Sequence, residues 1–255
     1  MYNESKRLNK TIRAFGKLSL PSSLKLKEVL IIDDGSTDLS DALSQKVIQS
    51  LRSHTKAPVT ILSYDTNHGK GWAVRQGFRH ATGDYALIVD ADMSTPLQEL
   101  KKFVPLMSLK RDIIIGTRKT QEATISRPQP LYRQLFGRIY TQLANLFLQT
   151  DVSDFTCGFK VFSRSAYTLL REHSRINRWG YDAELIFIAR SYSLPIYEIP
   201  VKWNDVAGTK VSLIADSIRS FAELMQIRIN SITGRYRDET VSPHYNQFTS
   251  LFQRA

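Results

Sequence analysis

Apolar and polar positions alternate in blocks along the first half of the chain. Four short runs rich in β-branched residues, at 28–32, 58–63, 84–89 and 112–116, read as buried strands. Between them the apolar period lengthens to that of a helix. Residues 4–16 carry Leu8, Ile12 and Phe15 among Lys6, Arg7, Lys10 and Arg13. A second helix is capped by Ser36 or Asp38 and runs to about Leu51, a third opens at Asn67-His68-Gly69-Lys70-Gly71 and ends before Gly83, and a fourth covers 97–109. Alternating strands and helices predict an α/β fold with a mostly parallel sheet flanked by helices. Ligands bind such sheets at the carboxyl ends of the strands. Three polar clusters, at 33–38, 67–71 and 90–94, fall there.

The second half reads differently. Residues 131–149 place Leu135, Ile139, Leu143 and Leu146 on one stripe, with Arg133 and Arg138 off it. A strand at Val161-Phe162, a helix from about Ser165, a helix following Arg178-Trp179-Gly180-Tyr181 and an edge strand at 196–203 come next. From Ser212 to Thr233, Ile214, Ile218, Phe221, Met225, Ile229 and Ile232 recur at steps of three and four, flanked by Arg219 and Arg228. Such a stripe packs into a core or lies in a membrane interface. The tail from Asp238 has no strong periodicity.

Composition narrows the partners. The 255 residues suffice for one large domain, and a net charge of +11 calls for an anionic partner. A nucleic-acid role is disfavoured, because no recognition motif is present and the acidic clusters would repel phosphate. The single cysteine, Cys157, excludes an internal disulfide framework and fits a reducing compartment. No window offers the ~18 uncharged apolar residues of a membrane span, and no signal peptide is visible.

The most informative stretch is Leu87-Ile88-Val89-Asp90-Ala91-Asp92-Met93-Ser94. Side chains alternate along a strand, so Asp90 and Asp92 leave its end on the same side. Two carboxylates so placed repel unless a cation lies beside them, and Mg²⁺ or Mn²⁺ sharing its shell with substrate phosphates suits them. The alternative is that Asp90 ends the strand and Asp92 caps the helix opening at Pro96.

The strings EVLIIDDGSTD, NHGKGWAVRQG and DYALIVDADMS, in this order, resemble the inverting glycosyltransferases of family two, which have the GT-A fold. The later pieces IIIGTRK, DFTCGFKVFSR, RWGYDAELIFIA and IPVKWNDVAGTKV resemble the dolichyl-phosphate β-glucosyltransferases. The likeness spans residues 2–236. It implies a nucleotide-sugar donor, with UDP-glucose favoured, a polyprenyl phosphate acceptor and a role in protein glycosylation. By the same resemblance Asp34 contacts the base, with Glu4 beside it, and Lys70 and Gly71 lie near the nucleotide. Asp90 and Asp92 hold Mg²⁺ or Mn²⁺ on the diphosphate, Arg118 and Arg133 bind the acceptor phosphate, and Lys210 lies near the phosphates. Each of these three basic residues is equally readable as a surface charge. Asp182 and Glu184 are the candidates if a general base operates, against a reading as a helix-start capping pair.

The resemblance divides a single domain, 1–236, into a donor half at 1–118, an acceptor half at 119–211 and an amphipathic membrane-interface helix at 212–236, with a tail at 237–255. It places the protein on the cytoplasmic face of a membrane. Two departures stand out. The chain starts inside the family's opening motif, so the first strand of the sheet is expected to be missing, and Ser94 stands where the related mannosyltransferases carry a glutamine. Competing readings are a family-two enzyme with a glycan or soluble acceptor, and a non-catalytic nucleotide-sugar-binding protein.

Overall fold

A computed structural model describes residues 1–38, 40–206 and 213–237. Helix α1 (Ser5–Gly16) precedes β1 (Val29–Asp34), α2 (Ser40–Thr55), β2 (Val59–Tyr64), α3 (Lys70–His80) and β3 (Tyr85–Val89). A 3-10 turn at Leu97–Glu99 leads into α4 (Leu100–Ser108), followed by β4 (Ile113–Thr117), β5 (Thr124–Arg127) and α5 (Leu131–Leu148). The chain continues through β6 (Phe159–Ser163), α6 (Arg164–His173), α7 (Tyr181–Ser191), β7 (Ile196–Pro200), β8 (Lys202–Asn204) and α8 (Leu213–Ile232).

The α/β class holds, with the strands distributed over three sheets. Strands β1 and β2 form a parallel pair, β3-β6-β4-β7 a four-stranded sheet, and β5 and β8 a second pair. The large sheet is mixed, because β6 runs antiparallel to both β3 and β4. The strand expected over 196–203 divides after Pro200, which has no N–H to donate. Val201 donates instead to Thr117 O at 3.1 Å, and the chain beyond pairs with β5, which the sequence pattern did not indicate.

Residue alternation on β4 and β6 builds a core on each face. Ile113, Ile115 and Phe162 pack with Phe155, Tyr167, Ile188, Leu224 and Ile227, under α6, α7 and α8. Ile114, Phe159 and Val161 pack on the other face with Leu97, Phe103 and Met107. Lys160 shares its face of β6 with Phe162 and is therefore carried into the core beneath α7.

Among the described residues β1 pairs with β2 alone and β3 with β6 alone. Both strands line one cavity of about 2240 Å³, which is apolar here and charged toward the strand ends. Met1 stands beside β1 in the pattern of a parallel rung: its amino group donates to Ile32 O, and Asp34 N donates to Met1 O.

The two long stripes face outward. On α8, Leu224 and Ile227 are buried, whereas Ile218, Phe221, Met225, Ile229 and Ile232 are exposed. On α5, Leu131, Leu135, Phe136, Ile139 and Leu146 are exposed as well. The helices touch through an edge-to-face pair of Phe147 and Phe221. Among the described residues no helix is long and apolar enough to cross a membrane.

Candidate active site

Strand β3 delivers Asp90 to the wall of the cavity, and a tight turn follows in which Met93 N donates to Asp90 O at 3.0 Å. Met93 takes a left-handed φ of 50° there, and Ser94 N donates to the Asp92 carboxylate at 2.9 Å. Helix α1 clamps this turn from outside. Thr11 Oγ1 donates to Ala91 O at 2.9 Å, and Lys10 Nζ to Asp92 O at 2.7 Å.

Asp90 is paired with Lys70, whose Nζ lies 2.6 Å from its Oδ1. Burial alone would raise the Asp90 carboxyl, but Lys70, with Lys160 and Arg118 behind it, brings it below the usual range. Burial opposes the charge on Lys70 in turn, and Asp90 holds it well above the ordinary lysine value. Gly158 backs the carboxylate so closely that a β-carbon there would stand 1.8 Å from Asp90 Oδ2. No side chain fits at that position while Asp90 keeps its place.

Lys70 is aimed by the first turn of α3. Gly69 has a φ of +113°, and a β-carbon on Gly71 would meet Ile176 O and the Tyr181 side chain at 2.5 Å. Glycine at 71 is therefore a packing requirement between α3 and the 176–181 segment. Asp34 ties the same loop from the end of β1, accepting from His68 N at 2.9 Å, Gly69 N at 2.7 Å and Asn67 Nδ2 at 3.0 Å. Glu4 pairs with Arg7 at 3.0 Å and its carbonyl starts α1. Both acidic residues line the cavity.

Arg118, just past β4, grips the buried Asp154, with Nε at 2.7 Å from Oδ2 and Nη2 at 2.9 Å from Oδ1. Its Nη2 also donates to Thr156 Oγ1 at 2.7 Å, and the guanidinium lies over Trp203. Burial disfavours both charges, yet each holds the other ionised, with Asp154 far below the carboxylate range and Arg118 raised. Arg133, in the first turn of α5, and Lys119 line the same cavity. Lys119 donates to Gly137 O at 3.0 Å and to Thr141, and burial lowers its pKa.

Asp182, in the first turn of α7, also lines the cavity, beside Arg178 and Trp179. Its Oδ1 lies 2.5 Å from Lys160 Nζ. Glu184 does not share this exposure. It is fully buried and accepts from Arg175 N, Ile176 N and the Tyr236 hydroxyl, so it fastens the 174–176 turn and the end of α8. Cys157 is free and buried, its thiol pushed up to about 11 by burial, which makes it inert as a nucleophile.

Glu4, Asp34, Lys70, Asp90, Asp92, Arg118, Arg133 and Asp182 thus line one cavity, while Gly71 positions Lys70 from behind; Lys210 lies outside the described residues. Lys10, Thr11, Lys119, Asp154, Gly158 and Lys160 join the arrangement without having been singled out from sequence. Among the described residues no cluster of three or more His, Cys, Asp or Glu is close enough to hold a metal. Two carboxylates with hard oxygen donors nevertheless fit Mg²⁺ or Mn²⁺, which commonly bind one or two protein carboxylates and complete their shell with substrate phosphates and water.

This scaffold is that of a GT-A glycosyltransferase. Glucosyl-3-phosphoglycerate synthase from Mycobacterium tuberculosis, in a crystal structure with Mn²⁺ and UDP-glucose, matches 89% of this chain and 76% of its own at a TM-score of 0.62 and 17% identity. The family described as Glycosyl transferase family 2 matches residues 1–170, and the chain belongs to it. The dolichyl-phosphate β-glucosyltransferase of Saccharomyces cerevisiae is 32% identical over 83% of this chain and 67% of its own length. Glycosyltransferase AglD of Haloferax volcanii is 29% identical over 88% of this chain and 35% of its own. The protein is accordingly a hexosyltransferase related to the dolichyl-phosphate β-glucosyltransferases.

The Arg118–Asp154 pair makes a stability prediction. A carboxyl depressed in the folded state stabilises fully above its unfolded value, near ~4, and that contribution fades as pH falls toward the depressed folded value. Asp154→Asn should cost about 3–5 kcal/mol at neutral pH, since it leaves Arg118 without its counter-charge. Denaturant unfolding across acid and neutral pH should show the variant losing less on acidification than the wild type.

Proposed function

We propose that the protein transfers glucose from UDP-glucose, with inversion, to the phosphate of a polyprenyl phosphate at the cytoplasmic face of a membrane. The observation that carries this reading is one cavity lined by Asp90, Asp92 and several basic side chains together with exposed apolar residues of α5 and α8. The relation to dolichyl-phosphate β-glucosyltransferases supports the choice of sugar and lipid.

Asp90 and Asp92 would hold the divalent cation against the donor diphosphate, with Asp34 and the loop it ties placing the nucleotide. When bound, the cation would offset charge developing on the leaving diphosphate. Lys70, already in the cavity, adds a preorganised positive charge to the same task. The acceptor phosphate is anionic at neutral pH and needs no strong base to become a nucleophile. It needs to be held against repulsion from the donor phosphates, which Arg133 and the cavity side of Arg118 can do by hydrogen bonding. Lys119 adds a further positive charge there.

The test is transfer of labelled glucose from UDP-glucose to a short polyprenyl phosphate with Mn²⁺ or Mg²⁺. Lipid-extractable product should appear only with metal, and Asp92→Ala should lower turnover by roughly 10²-fold or more. Product on a soluble acceptor but not on the lipid would reassign the acceptor.

The outward stripes of α5 and α8, flanked by Arg133, Arg138, Arg219 and Arg228, supply the apolar and cationic components of an interfacial surface. The wild type should float with anionic vesicles, less so as salt rises. Replacing Ile218 and Ile229 by Glu should sharply reduce the bound fraction while leaving stability within about 0.5 kcal/mol, as for exposed sites generally.

A further inference from the structure

Lys160 is the least expected charge in the molecule. It sits in the middle of β6, opposite Ile88 on one neighbouring strand and Ile115 on the other, and is 1% exposed. Its ammonium makes two bonds, to Cys157 O at 2.6 Å and to Asp182 Oδ1 at 2.5 Å. An isolated ammonium in a sheet core is costly, so the position is tolerable only because these acceptors are fixed there. Asp182 is itself 5% exposed, and what remains open of it faces the cavity beside Trp179. Its other oxygen, Oδ2, is not taken up by Lys160.

We infer that Lys160 is a positioning residue, which holds the Asp182 carboxylate turned toward the cavity so that it accepts a hydrogen bond from a donor-sugar hydroxyl. A carboxylate whose one oxygen is fixed by a buried ammonium has its other oxygen aimed. It remains a good hydrogen-bond acceptor. The groups that face Asp182 are Lys160 from β6, Lys70 from α3, Tyr140 from α5 and its neighbour Tyr181 on α7. Both phenols are driven up by burial and by Asp182, which keeps them neutral. Lys70 is committed to Asp90, so Lys160 is the cation in hydrogen-bond contact with Asp182. This inference rests on the proposed use of a nucleotide sugar and adds how the sugar is read.

The experiment compares binding of UDP and UDP-glucose, with Mn²⁺ present, by calorimetry at neutral pH. The sugar increment is the affinity for UDP-glucose relative to UDP. In Lys160→Met it should fall by about tenfold or more, with UDP affinity retained. Asp182→Asn should lower it to a similar extent, and the double variant Lys160→Met/Asp182→Asn, which leaves no uncompensated buried charge, should lose no more than Asp182→Asn alone. An increment that survives in Lys160→Met would overturn the inference, as would equal loss of UDP and UDP-glucose binding. If the wild type binds neither ligand, the functional reading fails, and the inference with it.

Discussion

The structure depends on keeping a carboxylate at the end of β3 ionised, in place and available. Asp90 meets that requirement through three independent contacts: Lys70 in front, the bare backbone of Gly158 behind, and the turn closed by Met93 N below. An anionic oxygen in a partly closed cavity is stable only beside positive charge. Lys70 supplies that charge when no cation is bound. On the proposed reading, Asp90 would hold a divalent cation, and Lys70 would then be available to the donor phosphates.

The same rule of local neutralisation recurs around the cavity. Arg118 is matched to Asp154 and Lys160 to Asp182, each pair with at least one member in the core. Buried pairs of this kind add little net stability over apolar packing, but losing one partner is costly. They therefore specify geometry rather than strength. Helix α1 adds contacts to neutral acceptors, since Thr11 and Lys10 hold the backbone carbonyls of Ala91 and Asp92. The ion pairs themselves are neutral, so the net charge of +11 lies outside them.

Much of this was legible in the chain itself. Short β-branched runs and helical periods placed nearly every element, because those periods follow from backbone geometry. The D-x-D and Gly69 beside Lys70 line the cavity, although strand β3 ends at Val89, so Asp92 sits in a turn and not in the strand alternation expected of it. What the sequence hid were pairings made only by tertiary contact. Asp154 lies 36 residues from Arg118, and no local pattern marks a lysine inside a strand as a core residue. Strand β5 was obscured because its partner β8 becomes available only once Pro200 interrupts the preceding strand. For α8 the period located the stripe but not its outward direction. Leu224 and Ile227, off that stripe, turned out to be the core contacts.

On the proposed reading, Asp90 and Asp92 would hold a divalent cation whose remaining coordination comes from the donor and water. The direct measurement is titration of Mn²⁺ by electron paramagnetic resonance, with and without UDP, on the wild type and on Asp90→Asn. Weak Mn²⁺ binding alone, clear tightening by UDP, and loss of that coupling in Asp90→Asn would agree with the account. Tight Mn²⁺ binding without UDP, or UDP binding indifferent to Mn²⁺, would contradict it.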